Sequence, residues 1–153
     1  MPRRAMLISS VLIPTSSLHG KVRDGLRALL ARDRNLIEGA ERQRVGDSLD
    51  LDDASRVEFP NENRWDYLLS VPTISQIIGI EPHSARDAEI SVVIAKKQNA
   101  VNYLRDHLRP GNRVAKWFWV SHGSVGFSRM DRMRRLLDQN GIAFEGRMLR
   151  SFG

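Results

Sequence analysis

One stretch constrains the fold of this chain more than any other: Arg64 to Lys97, RWDYLLSVPTISQIIGIEPHSARDAEISVVIAKK. Two short apolar segments, WDYLLS and QIIGIE, are joined by VPTIS, and each carries one carboxylate, Asp66 and Glu81. Aliphatic and aromatic residues bounded by turn formers make both segments strand candidates. Paired as an antiparallel hairpin centred between Thr73 and Ile74, they set Asp66 directly opposite Glu81. Opposed residues on antiparallel strands share a face with Cβ atoms roughly 4.5–5.5 Å apart, and like charges there repel. A shared divalent cation removes that conflict, which makes Asp66 and Glu81 candidate metal ligands. A slip of one residue would send the acids to opposite faces.

The next residues add to the constellation. In an extended chain Glu81 and His83 lie on one face, so the imidazole joins the two acids. Ser84 and Asp87 read as a capping-box variant opening a helix. Its apolar stripe is Ile90, Val93, Ile94, Val101, Leu104 and Leu108, and Arg109-Pro110-Gly111 ends it. Lys97 sits at the middle of that stripe and Lys96 toward its edge, so the period favours Lys97 as the lysine that meets the acids.

Elsewhere, Ser16 and Ser17 precede Leu18, Val22, Leu26, Leu29 and Leu30, the spacing of an amphipathic helix. RNLIEGAERQRVGDS is polar and glycine-punctuated, a loop or short second helix that holds Glu38 and Glu41. SLDLDDA alternates leucines with acids, as in a short strand entering a turn, and VEFPNEN marks a second break. KWFWVSHG has the near-continuous apolar sequence of an interior strand. Ser128 and Asp131 repeat the capping pattern before a helix with Met130, Met133, Leu136 and Leu137, and IAFEGRML is a last strand. The aromatics Trp65, Tyr67, Trp117 and Trp119, on apolar strands, read as core. His19, His107 and His122 lack metal-ligand spacing, and SHGS lacks the spacing of a nucleophile elbow.

A length of 153 residues suits one domain with one core. The expected division is an N-terminal extension or strand over residues 1–17 and a single α/β domain over 18–153. With no cysteine, disulfides and thiolate metal sites drop out. No apolar run reaches the roughly 20 residues of a membrane span. MPRRAMLISSVLIP loosely imitates a signal peptide, but its apolar run is short and no A-x-A site follows, so the expected compartment is the cytoplasm.

The net charge of +6 is unevenly spread. Residues 1–44 carry nine basic and four acidic side chains, residues 45–89 three and ten, and residues 104–153 ten and four. An acidic middle between basic ends suits a metal centre inside a surface that attracts polyanions. Arg129, Arg132, Arg134 and Arg135 give the last helix a basic side, the candidate nucleic-acid contact.

The order of elements, with a D-x(n)-E-x-H motif on the hairpin, resembles the PD-(D/E)xK nuclease-like superfamily over roughly residues 18–121. The resemblance implies a restriction-endonuclease-like αβββαβ core, a central mixed β-sheet flanked by helices. It implies Asp66 and Glu81 as ligands of Mg²⁺ or Mn²⁺, and an acid from the first helical region, Glu38 or Glu41, to complete the shell. His83 stands in place of the family lysine. A neutral imidazole there acts as base or ligand but lacks a fixed positive charge, and in some members the lysine comes from the following helix, here Lys97 or Lys96. The implied activity is metal-dependent nuclease or phosphodiesterase chemistry on nucleic acid. The alternative is a catalytically inactive domain of the same fold binding nucleic acid or a protein partner, and a homodimer is also open.

Overall fold

The hairpin forms with the expected register. A computed structural model describes residues 6–153. In it β3 (Tyr67–Val71) and β4 (Gln76–Pro82) pair antiparallel from Tyr67↔Ile80 to Val71↔Gln76. The turn between them is a 3₁₀ segment, Pro72–Ile74, closed by Ser75 at φ 51°. The same register extended by one pair sets Asp66 against Glu81.

Around this hairpin the chain builds a six-stranded mixed sheet. β1 (Arg23–Asp24) and β2 (Asp47–Asp50) precede β3 and β4, and β6 (Val114–Val120) and β8 (Ile142–Phe144) follow. The spatial order is β1-β2-β3-β4-β6-β8, antiparallel as far as β4 and parallel from β4 through β6 to β8. A second sheet of two strands, β5 (Ala85–Arg86) and β7 (Val125–Gly126), lies beyond the ends of β4 and β6. Among the described residues there are six α-helical segments: α1 (Ile8–Val11), α2 (Ala31–Arg34), α3 (Gly39–Arg42), α4 (Leu51–Ser55), α5 (Ile90–Leu104) and α6 (Met130–Gln139). None is long and apolar enough to cross a membrane.

Strand alternation divides the core into two layers. Leu68, Ile77, Trp117 and Trp119 face α5 and α6, while Tyr67, Leu69, Ile78, Ile80 and Phe118 face the opposite side with Ile37, Leu149 and Phe152. Gly79 falls on the α5 side, where Trp65 and Trp117 meet edge to face with centroids 4.9 Å apart. A Cβ at Gly79 would stand 2.7 Å from Trp117 and 2.9 Å from Trp65, so glycine is what lets the rings close over the strand. Trp65 and Trp119 are fully buried, and truncating a side chain of this size in a core costs about 3–5 kcal/mol.

Three expectations of local structure change. The stripe from Leu18 to Leu30 does not make one helix: Ser17–Lys21 is 3₁₀, Arg23–Asp24 is an edge strand, and turns follow. Gly25 at φ 52° breaks the run and donates its N–H to Gly46, tying this segment to the sheet edge. Leu18 and Leu29 consequently enter different core layers, and Leu30 is exposed. Neither S-x-x-D motif caps its own helix. The Ser128 N–H and hydroxyl instead donate to Asp87, so the two motifs join the entrances of α5 and α6.

The N-terminal segment is also integrated. Ile8, Val11 and Leu12 are buried, and Asp47 accepts hydrogen bonds from the N–H groups of Ile8 and Ser9 at the start of α1. Arg3 and Arg4, the charges of the leader-like opening, lie outside the described residues.

Candidate active site

Period-two alternation aims the site. Asp66 falls in phase with Leu68, and Glu81 in phase with Gly79 and Ile77, so both carboxylates belong to the α5 side of the sheet. Glu81 is fully buried at the end of β4. Its Oε1 accepts the Asp66 N–H at 2.9 Å and its Oε2 accepts Lys96 Nζ at 2.6 Å. Lys96 Nζ also lies 3.7 Å from Asp66 Oδ1. His83 completes the cluster, with Nδ1 3.3 Å from Glu81 Oε2 and Nε2 2.8 Å from Glu89 Oε2. Five residues from four parts of the chain therefore converge: Asp66, Glu81, His83, Glu89 and Lys96.

The electrostatics are those of an undercompensated centre. Burial, and then the Glu81 carboxylate, push Asp66 up to about 8, only partly offset by Lys96. For Lys96, burial favours the neutral form, but the charges of Glu81 and Asp66 outweigh it and hold the ammonium group above its ordinary value. Hydrogen bonding to Glu81 and Glu89 raises His83 against the opposing effect of burial. One ammonium group faces the buried Glu81 and the partly buried Asp66, and the imidazole is shared between Glu81 and Glu89.

Lys96, not Lys97, reaches the acids, which corrects the choice drawn from the helix period. Lys97 turns to the other side of α5, where it donates to the Asn140 carbonyl and lies 6.0 Å from the Trp117 ring centroid. The residues of α5 that are buried are Val93, Ala100, Tyr103 and Leu104. Both lysines lie between Val93 and Ala100 on that face, and Lys96 is the one on its Tyr103 side, seven residues before it. Ile90 and Ile94, which drew the stripe toward Lys97, instead line a groove with α6.

His83 is corrected as well. With a carboxylate against each ring nitrogen it is held toward the imidazolium form, not free as a neutral base or ligand. Glu41 does not complete the shell. It is at the opposite, turn end of the hairpin, paired with Arg44 at 2.7 Å and accepting the Phe152 N–H at 2.7 Å, while Arg44 reaches Thr73. Glu38 is exposed at the start of α3.

Two acids missed from sequence lie nearer. Glu89 is seven residues before Lys96, two helical turns away on the same face, and that spacing was a readable signal. Asp33 contributes to the charge felt by Asp66 and accepts the Tyr67 hydroxyl at 2.6 Å, but no local pattern marked it.

The basic candidates are exposed at the start of α6 and along it, and two of them border a groove. Arg129 and Arg132 line the groove between α6 and the start of α5, together with Asp87, Ala88 and Ile90. Arg134 and Arg135 do not line it.

The donor set suits a hard divalent cation in chemistry but not in number. Asp66 and Glu81 offer carboxylate oxygens, and Mg²⁺ commonly takes one or two carboxylates with water and substrate phosphate supplying the rest. Among the described residues no group of three or more acidic, histidine or cysteine side chains is arranged to hold a metal. Any ion here would depend on water and substrate to complete its coordination. Comparison with protein-family models, with curated proteins and with solved structures returned no match.

Proposed function

We propose that this chain is a metal-dependent phosphodiesterase acting on nucleic acid, a divergent relative of the PD-(D/E)xK nucleases. The observation that carries the reading is Lys96 Nζ set 2.6 Å from Glu81 and 3.7 Å from Asp66. It supplies an ammonium group from the following helix, the part that the resemblance gives to the family lysine. The antiparallel strands β2 to β4, followed by α5 and the parallel strand β6, support this reading as the βββαβ part of the expected αβββαβ order, although the helix expected before them over residues 18–30 does not form.

Asp66 and Glu81 would hold Mg²⁺ or Mn²⁺, which would supply charge neutralisation at the phosphoryl oxygens. Lys96 has the charge and reach to orient an attacking water and to stabilise negative charge gathering on phosphate oxygens. His83 is a positioning residue: it ties Glu81 to Glu89 and holds the end of β4 against the entrance of α5. Arg129 and Arg132 offer backbone contacts without sequence preference.

The test is cleavage of labelled single- and double-stranded DNA and RNA with Mg²⁺ or Mn²⁺. The wild-type chain should cleave at least one substrate, with loss on chelation and in Glu81→Gln and Lys96→Met.

One observation favours a second reading. Both Glu81 oxygens already have protein partners, Oε1 in the Asp66 N–H and Oε2 in Lys96 and His83. A carboxylate so fully engaged also suits an inactive domain of the same fold that binds nucleic acid. That reading predicts no cleavage with any metal, and binding that weakens when Arg129 and Arg132 are changed to alanine.

A further inference from the structure

The carboxyl end of α5 opens onto a cavity of about 380 Å³ whose charge is all of one sign. Lys97, Arg105, Arg109 and Arg113 line it, and no acidic residue does. The helical period accounts for the first two, since Lys97, Val101 and Arg105 follow one another at intervals of four along one face. The other two come from the turn Arg109-Pro110-Gly111-Asn112 and the residue after it. The Asn112 N–H closes that turn on the Arg109 carbonyl, with Gly111 at φ 83°. The turn is anchored, because the Arg109 N–H donates to the Val11 carbonyl and its Nε to the Leu12 carbonyl.

None of the four cations forms an ion pair among the described residues. Lys97 donates to the Asn140 carbonyl, and burial with no carboxylate to offset it holds the ammonium group below its ordinary value. Of the three arginines only Arg109 makes a side-chain hydrogen bond among the described residues. The carboxyl end of a helix attracts a cation, which accounts for Arg105 at the C-cap, but that effect fades within a turn, and Arg113 lies well past it. The floor is apolar: Leu104, Val114 and Trp117 are buried, with Val101 and Leu108 partly buried beside them.

We propose that this cavity binds a small organic phosphate, a phosphomonoester carried on a planar or apolar body, as in a mononucleotide. The phosphate accepts hydrogen bonds from Arg105, Arg109 and Arg113, whose planar forks match its oxygens, and the body lies along Val101, Leu108 and Trp117. Charge decides the class. Four like charges repel a cation, and a phosphomonoester, close to doubly charged at neutral pH, neutralises more of the cluster than a carboxylate does. The site is independent of the phosphodiesterase reading. Val114 begins β6 whereas Glu81 pairs with Trp119 near its end, so the cavity lies roughly 17 Å along the strands from Glu81.

The experiment is calorimetric titration in EDTA with adenosine 5′-monophosphate at low and high salt, repeated with adenosine, inorganic phosphate and a hexathymidylate oligonucleotide. Saturable single-site binding of the monophosphate that weakens with salt is expected. Adenosine should not bind, and inorganic phosphate should bind at least tenfold more weakly, having no body to cover the floor. Arg105 and Arg113 are exposed, so the Arg105→Gln/Arg113→Gln double variant should keep its melting temperature and lower the affinity at least tenfold, the value of a charge-assisted contact. Arg134→Gln/Arg135→Gln removes the same charge outside the cavity and should leave the affinity unchanged. An equal loss in both double variants would reduce the binding to diffuse attraction and overturn the assignment. So would absence of saturable binding, adenosine or inorganic phosphate binding as tightly as the monophosphate, or the oligonucleotide binding more tightly than it.

Discussion

The two ends of the β3–β4 hairpin treat their acids in opposite ways. At the turn end, Glu41 is matched: Arg44 pairs with it at 2.7 Å, the Phe152 N–H donates to it, and the group ionises below its ordinary value although burial works the other way. At the open end, Asp66 and Glu81 share one ammonium group, and Asp66 is driven up to about 8. Both ends contain acids and a nearby cation, so composition does not distinguish them, but Glu81 is fully buried while Glu41 is only partly covered. The balance of charge differs too. A structural ion pair is neutralised by its own partners, whereas at the open end the shortage of cations leaves Asp66 holding a proton that a bound cation would displace.

The largest expected difference between the two ends is in activity. Lys96→Met should lower phosphodiester cleavage by about a hundredfold or more, the usual consequence of removing a group that stabilises developing charge. The same change should destabilise the metal-free protein by about 3 kcal/mol, since it leaves buried carboxylates without their cation. Chemical denaturation with and without Mg²⁺ checks this, and added metal should recover part of the loss. Glu41→Gln should cost about 1.5–3 kcal/mol through its charged hydrogen bonds, equally with and without Mg²⁺. A metal-dependent effect at Glu41 would erase the contrast between the two ends.

Stability against pH distinguishes the ends next. The folded-state value of Asp66, about 8, lies above its unfolded value of about 4. The folded state therefore holds the extra proton, and this group's stability contribution is complete at low pH and is lost as pH rises from about 4 through about 8. Asp66→Asn should flatten that decline in metal-free protein, as read by melting temperature across the pH range. Glu41, ionising below its ordinary value, contributes with the opposite sign: its stabilisation is present at neutral pH and is lost only as acid protonates it. The smallest effect belongs to Lys97→Met, which should leave cleavage within about threefold of wild type because a lysine outside the reaction centre contributes little to it.

How far these features were readable depends on how local their causes are. The register that opposes Asp66 to Glu81 follows from the position of the turn, and WDYLLS-VPTIS-QIIGIE marks that position plainly. KWFWV declares itself an interior strand because it is apolar on both faces, and it lies between β4 and β8. The choice between Lys96 and Lys97 was not readable from the aliphatic stripe alone, because α5 packs on both the sheet and α6. Including Ala100 and Tyr103 widens the buried face so that it takes in Lys96 as well as Lys97, and only the tertiary contacts choose between them. The segment from Leu18 to Leu30 has a helical period that two glycines and pairing with β2 override. Asp87 holding Ser128 joins residues 41 positions apart, a contact that no capping rule applied to either helix could supply.

The central claim, that the Asp66–Glu81 end of the hairpin takes a divalent cation and the Glu41 end does not, is tested most directly by thermal unfolding in the presence of Mn²⁺. Ligand at about a hundred times its dissociation constant adds about 2.7 kcal/mol, which in a chain of this size is a rise of several degrees. The account predicts that rise for the wild-type protein and for Glu41→Gln, and its loss in Asp66→Asn. An unchanged melting temperature in the wild type, or a rise that Asp66→Asn retains, would contradict it.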